Sequence, residues 1–183
     1  MFRRKNKTNN NRGTKEMINI DLTKHYNHKF FYSKDIKSEN RGLDGTYILA
    51  KDVKDKLEAT TRLDNISCNS QMIEVNRTVF KIYILGFAYW GSTNEFIDLV
   101  YEDEVKKVKV PFIDWVQPAK DNYETRSWFK DVKTVMKVNS CGVLHHTVYF
   151  HESIIKLDSN KLIKRIVLPD NFLIHIFKIT IED

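Results

Sequence analysis

The residues Phe96-Ile-Asp-Leu-Val-Tyr101, Glu102-Asp-Glu104 and Val105-Lys-Lys-Val-Lys-Val-Pro-Phe112 decide the fold class. In the third piece Val108, Val110 and Phe112 alternate with Lys107 and Lys109. Alternation at period two puts the two sets of side chains on opposite faces, so this piece is a strand with one wet face. The first piece is apolar and rich in β-formers, and only three polar residues separate the two. The pattern predicts a hairpin. Its turn lacks the Gly usually wanted at a positive φ, and Asp103 is the residue expected to take that conformation.

Working outward, the same reasoning predicts strands at 79–86, 143–150, 162–168 and 172–181, with shorter ones at 18–22, 30–32, 47–49 and 72–75. Pro169 stops the ladder after Leu168, and Asp170-Asn171 turns the chain into the last strand. Helical patterns are scarce. Ala50–Ala59 offers about two turns, with Val53 and Leu57 four residues apart, and Ser127–Met136 reads either way. About eight to ten strands with turn signals every 8–12 residues, and no helices between them, exclude a βαβ fold. The expectation is all-β: an antiparallel β-sandwich, jelly-roll-like, with one or two short helices.

The chain of 183 residues suits one domain and buries a sizeable core without disulfides or metal. Lys and Arg number 30 against 24 Asp and Glu, a formal +6. Residues 1–16 hold six of the basic and one of the acidic residues, which leaves 24 against 23 for the rest. The sequence therefore divides into a basic leader, 1–16, expected to be disordered, and a nearly neutral domain, 17–183. Nucleic-acid binders carry their basic excess on the folded body, so no nucleic-acid partner is expected. An anionic cell-wall polymer or acidic membrane would be drawn to the leader instead. There is no apolar run of 18 residues and hence no transmembrane helix. No apolar segment follows the basic N-terminus, so no signal peptide is read and the cytoplasm is the default compartment. Cys68 and Cys141 form no CxxC pair and are expected to be reduced.

Signatures of catalysis are missing. The six glycines build no phosphate loop, and there is no GxSxG or HExxH. His145 and His146 are adjacent and point to opposite strand faces. His145 and His151 share parity but lie about 20 Å apart in a strand, too far for one metal. His175, between Ile174 and Ile176, is expected to be a core histidine with one hydrogen bond. Asp44, Asp64, Asp98 and Asp114 are the acids a two-carboxylate hydrolase or lyase could use, but spacing pairs none of them. The expectation is no enzyme.

Aromatic residues carry the stronger signal. Tyr89 and Trp90 follow a strand, Trp115 follows Asp114 at the end of another, and Trp128 comes just after Arg126 in a polar stretch. Loop aromatics present a flat apolar face that can stack on the C–H face of a sugar ring. Asp114 and Arg126 would then hydrogen-bond its hydroxyls. The alternative for each Trp is that it closes the end of the core.

Short motifs in order carry a family resemblance. Gly42-Leu-Asp-Gly45-Thr-Tyr47 precedes Leu63-Asp-Asn-Ile66 and Asn69-Ser-Gln71-Met-Ile73. Tyr83-Ile-Leu-Gly86-Phe-Ala88, Pro111-Phe-Ile-Asp-Trp115 and Ile166-Val-Leu-Pro-Asp170-Asn follow, then Leu173-Ile-His-Ile-Phe177-Lys-Ile179. Together, over about residues 18–182, they resemble the galactose-binding-like β-sandwich domains appended to secreted bacterial glycoside hydrolases. The resemblance implies a jelly-roll fold and a noncatalytic, carbohydrate-binding or enzyme-accessory role. It also implies an extracellular setting and is compatible with a structural calcium ion in an oxygen-rich loop, where Asp44 and Asp64 are candidates. The second reading is a structural or protein-interaction sandwich, including a homo-oligomer, because strands 79–87 and 171–181 are richer in apolar residues than one core needs.

Overall fold

The computed structural model describes residues 15–32, 43, 46–53, 57, 63–117, 131–157 and 161–183. The strands in chain order are β1 (Met17–Asn19), β2 (Phe31–Tyr32), β3 (Thr46–Leu49), β4 (Ile66–Ser67), β5 (Met72–Thr78), β6 (Lys81–Ala88) and β7 (Thr93–Val100). Then come β8 (Val105–Phe112), β9 (Val132–Asn139), β10 (Cys141–Gly142), β11 (Thr147–Lys156), β12 (Leu162–Val167) and β13 (Ile174–Glu182). The only helical segments among the described residues are short 3₁₀ turns at Thr23–His25 and Ala50–Asp52. The fold is all-β.

Three sheets are stacked. The central one runs β1-β13-β6-β11-β9, with β4 also paired to β13. A four-stranded sheet, β5-β12-β7-β8, covers one of its faces, and the small sheet β10-β3-β2 covers part of the other. The strand pairs are antiparallel except β2 with β3. Two cores result. Between the central and four-stranded sheets lies an aliphatic one, with Ile82, Ile84, Ile97, Leu99, Ile166 and Ile179. Under the small sheet lies an aromatic one, with Phe30, Phe31, Phe87, Trp115, Phe150 and Phe177. The middle strands β6 and β13 serve both, which is why each is an almost unbroken apolar run. The apolar surplus that suggested an oligomer is taken up by this second core.

The hairpin forms, paired from Thr93↔Phe112 to Val100↔Val105, one residue away from the register that a three-residue turn at 102–104 would set. Its turn has four residues, with the Tyr101 N–H donating to the Glu104 carbonyl at 2.9 Å. Among the described residues, those other than Gly with positive φ are Ser70, Asn76 and Trp90, so Asp103 keeps an ordinary conformation. A four-residue loop built on a type I turn needs no left-handed residue.

Other boundaries move for local reasons. The strand expected from 143 begins at Thr147, because Ser140 folds residues 143–146 into a loop. Its hydroxyl donates to the Leu144 carbonyl at 2.9 Å and accepts the His146 N–H at 2.8 Å. The last strand starts at Ile174, since Asn171 first closes a turn by accepting the Leu173 N–H. In the ambiguous 127–136 segment, the described part from Val132 is strand, as its β-branched content favours. Val53 and Leu57 are both buried, and the Leu57 N–H donates to the Val53 carbonyl at 2.9 Å.

Of three register shifts among the described strands, two are β-bulges in the central sheet. Between β13 and β6 the partners jump from Ile176↔Gly86 to Lys178↔Leu85, leaving Phe177 unpaired. Between β11 and β9 they jump from Phe150↔Met136 to His151↔Thr134, leaving Val135 unpaired. The N-terminal boundary is also informative. Lys15, assigned to the leader, has its ammonium 2.6 Å from Glu182, and the Glu16 carbonyl accepts the Asp183 N–H at 3.1 Å.

Candidate ligand-binding site

At the end of β6 the chain crosses from the central to the four-stranded sheet through Tyr89–Ser92. The crossing uses two consecutive positive φ angles, 66° at Trp90 and 115° at Gly91. Gly adopts that conformation freely; a bulky residue does so only against a steric cost. The consequence is a Trp90 side chain that is 74% exposed. Its ring stacks on Tyr89 at 5.4 Å, and Tyr89 stands edge-on to Trp115 at 5.4 Å. Trp115 is 4% exposed and packs against Phe30 and Phe87, each at 5.9 Å. The three rings form a ladder from the aromatic core to solvent.

A second loop lies beside this ladder. The Tyr89 N–H donates to the Leu173 carbonyl at 2.8 Å, so the turn before β13 is tied to the Trp90 loop. That turn carries Phe172, which is 71% exposed. Polar groups surround the junction. Glu95 accepts hydrogen bonds from the Asn171 amide at 2.7 Å and the Thr93 hydroxyl at 3.2 Å. The Ser92 hydroxyl accepts the Asp114 N–H at 2.9 Å.

Of the residues singled out in the sequence, Tyr89, Trp90, Asp114 and Trp115 come together at this end of the sandwich. Only Trp90 offers an open face. Trp115 belongs to the core, and Asp114 is buried, its carboxylate accepting the Val116 N–H at 3.0 Å. Arg126 and Trp128 lie outside the described residues, as does Asp44. Phe172, Glu95 and Asn171 were not anticipated. The available signal was the Pro169-Asp-Asn turn, which places the next residue on a loop rather than in the strand.

Charge and histidine are gathered elsewhere, inside the fold. The Lys29 ammonium sits 2.7 Å from the Asp64 carboxylate, their side chains 7% and 0% exposed. Asp64 also accepts the Phe30 and Phe31 N–H groups, at 2.8 and 3.0 Å, and the Asn65 amide at 3.0 Å. With four donors on two oxygens it has no capacity left for calcium, so the residue does not fit that ion. Asn65 links two histidines: its amide nitrogen faces His28 Nδ1 at 3.2 Å, and its oxygen faces His175 Nδ1 at 2.9 Å. Because the amide nitrogen also donates to Asp64, His28 Nδ1 must accept and His175 Nδ1 must donate. His175 is thus a core histidine, its ring 4.8 Å from His28. Burial, with help from His28, pushes its pKa down to about 3. Burial likewise lowers His28, against the opposing charge of Asp64. His151 is buried beneath the Trp115 loop and falls to about 4, again through desolvation. Its Nδ1 is 3.3 Å from the Thr134 hydroxyl, and its Nε2 meets no hydrogen-bond partner among the described residues.

The chain matches no protein-family model and no curated protein. Among the described residues no group of three or more His, Cys, Asp or Glu side chains is arranged to hold a metal ion. Among them, too, no helix is long and apolar enough to cross a membrane. Cys68 and Cys141 are free thiols, and burial drives the Cys68 pKa strongly upward, which leaves it inert as a nucleophile.

Proposed function

We propose that this protein is a noncatalytic carbohydrate-binding module of the galactose-binding-like, jelly-roll type, with its sugar stacked on Trp90. The observation that carries the proposal is the propped, outward Trp90, 74% exposed at a φ of 66°. A left-handed Trp costs stability, and no core packing on its outer face offsets that cost. Its flat face suits the C–H face of a pyranose ring, and Tyr89 behind it holds the ring in place. Phe172 on the neighbouring turn supplies a second apolar surface, while Glu95 and Asn171 offer partners for hydroxyls. Exposed aromatic anchors of this kind concentrate on loops at sandwich ends.

The test is a glycan array followed by pull-down on cell-wall polysaccharides, with Trp90→Ala and Phe172→Ala as comparison proteins. Wild type retains at least one glycan class, and Trp90→Ala loses it. Retention of nothing by wild type, or equal retention by Trp90→Ala, removes the proposal.

A further inference from the structure

A groove of about 230 Å³ opens on the central sheet, on the same face as the aromatic core. It is lined by Tyr83, Leu85, Val135, Glu152, Lys178 and Thr180, with Met136 beside them. Tyr83 and Leu85 lie five and three residues before the end of β6, so the groove sits roughly 10–17 Å along the strand from the start of the aromatic loop.

Both bulges aim residues into this groove. Ile174 and Ile176 face the aliphatic core, and simple alternation would send residue 178 after them. The extra residue Phe177 reverses the parity, so Lys178 pairs with Leu85 on the opposite face while Ile179 and Ile181 return to the core. In β9 the unpaired residue is Val135, which forms part of the groove wall. Bulges are devices for re-aiming side chains, and they cluster beside functional sites.

The chemistry of the groove is polarised. Glu152, Leu85 and Lys178 lie in one cross-strand row over β11, β6 and β13. Neighbouring strands are about 4.8 Å apart, so the acid and the base start about 10 Å from each other with an apolar floor between. Glu152 Oε2 holds Lys133 at 2.8 Å, which leaves Oε1 to accept. Lys178 is half-buried and makes no ion pair or hydrogen bond with any described residue. In the next row, the Tyr83 hydroxyl donates to Glu182 at 2.9 Å and the Thr180 hydroxyl to Asn19 at 2.9 Å. Both oxygens keep lone pairs for a ligand donor.

A fitting ligand has an anionic group at one end, hydroxyls at the other and an apolar face between. An α-amino acid has both charges on one carbon and cannot span the row. A volume below the roughly 300 Å³ of drug-sized pockets suits a single ring. From this geometry we propose a second ligand site, specific for a hexuronate unit. Its carboxylate meets Lys178, its hydroxyls meet Glu152, and its C–H face lies on Leu85 and Met136. The assignment rests on the carbohydrate-binding reading for its ligand class, but not on Trp90.

The experiment is an NMR titration of the ¹⁵N-labelled protein with D-galacturonate, D-glucuronate, galactose, glucose and sodium acetate at matched concentrations. At least one uronate shifts the amides of Tyr83, Leu85, Lys178 and Thr180, with an affinity at least tenfold above that of the neutral sugars and acetate. Lys178→Met and Glu152→Gln each weaken that uronate's binding at least tenfold without loss of the dispersed spectrum, and Trp90→Ala leaves it unchanged. The site is overturned by equal shifts with neutral sugar or acetate, by no uronate shift at these strands, or by unchanged binding in Lys178→Met. Glycan retention lost through Trp90→Ala, with no uronate shift here, removes the groove and leaves the aromatic site standing. Uronate binding lost through Lys178→Met, with glycan retention indifferent to Trp90, does the reverse.

Discussion

Trp90 combines exposure with backbone strain, and the two can be separated by choice of substitution. A left-handed φ costs an L-residue about 1–2 kcal/mol, and Gly escapes that penalty. The stack on Tyr89 returns about 0.5–1.5 kcal/mol. Trp90→Ala keeps the strain and loses the stack; Trp90→Gly loses both. In urea denaturation Trp90→Gly should therefore be more stable than Trp90→Ala, by about 1 kcal/mol, and close to wild type. The reverse order would mean that position 90 is not left-handed in solution. Tyr89, Trp90 and Trp115 were legible as site candidates because aromatics just past a strand must either close the core or leave it. Which of them leaves was not legible. That depends on the φ of Trp90 and on Phe30 and Phe87 closing over Trp115, and both are tertiary facts.

At the scale of the elements, β6 and β13 set the tolerance of the fold. Gly86 faces Ile176 across the pair, and a Cβ there would meet the His175 carbonyl oxygen at 2.4 Å. The obstacle is backbone, which cannot rotate away. Gly86→Ala should cost roughly 3 kcal/mol, read as a lowered urea midpoint. A midpoint unchanged by Gly86→Ala would place β13 further from β6 than it is here. Most of the long strands were readable because they display alternation or an unbroken apolar run; β9, which begins inside the ambiguous 127–136 segment, was not. The two-residue strands β4 and β10 display neither, while β2 falls inside the short strand expected at 30–32. Two strands of the third sheet were expected, at 30–32 and 47–49, but not their separate sheet: a run buried on both faces announces two covers without naming the segments that supply them. The β13 bulge did leave a trace, since isoleucines at 174 and 176 give way to isoleucines at 179 and 181.

For the whole molecule, acid is the revealing variable. His175 and His151 are held near pKa values of about 3 and 4, and an unfolded histidine titrates at about 6.5. Below pH 6.5 the unfolded chain binds protons that these rings refuse in the native state. Stability is therefore complete above about pH 6.5 and falls as the pH drops, by up to about 1.4 kcal/mol per pH unit for each ring. Glu182 is lowered to about 2 by Lys15, Lys81 and Tyr83, and its contribution is lost only below about pH 4.5. Urea midpoints should match at pH 8 and 7 and be clearly lower at pH 5; equal midpoints at pH 8 and 5 would refute the neutral histidines. Charge also ties the first described residues to the domain. Because Lys15 and Glu16 bond to the end of β13, a chain starting at residue 15 should melt with the full chain, whereas one starting at residue 20 should melt several degrees lower. Matching melts for both would show that β1 adds nothing. The central position of β6 has a consequence for synthesis. Its hydrogen-bonding edges are filled by β11 and β13, both of which leave the ribosome long after it does. Until then the nascent chain carries Ile82–Ala88 with both edges open, so the window for misassembly is set by translation speed and chaperone supply rather than by the stability of the finished protein.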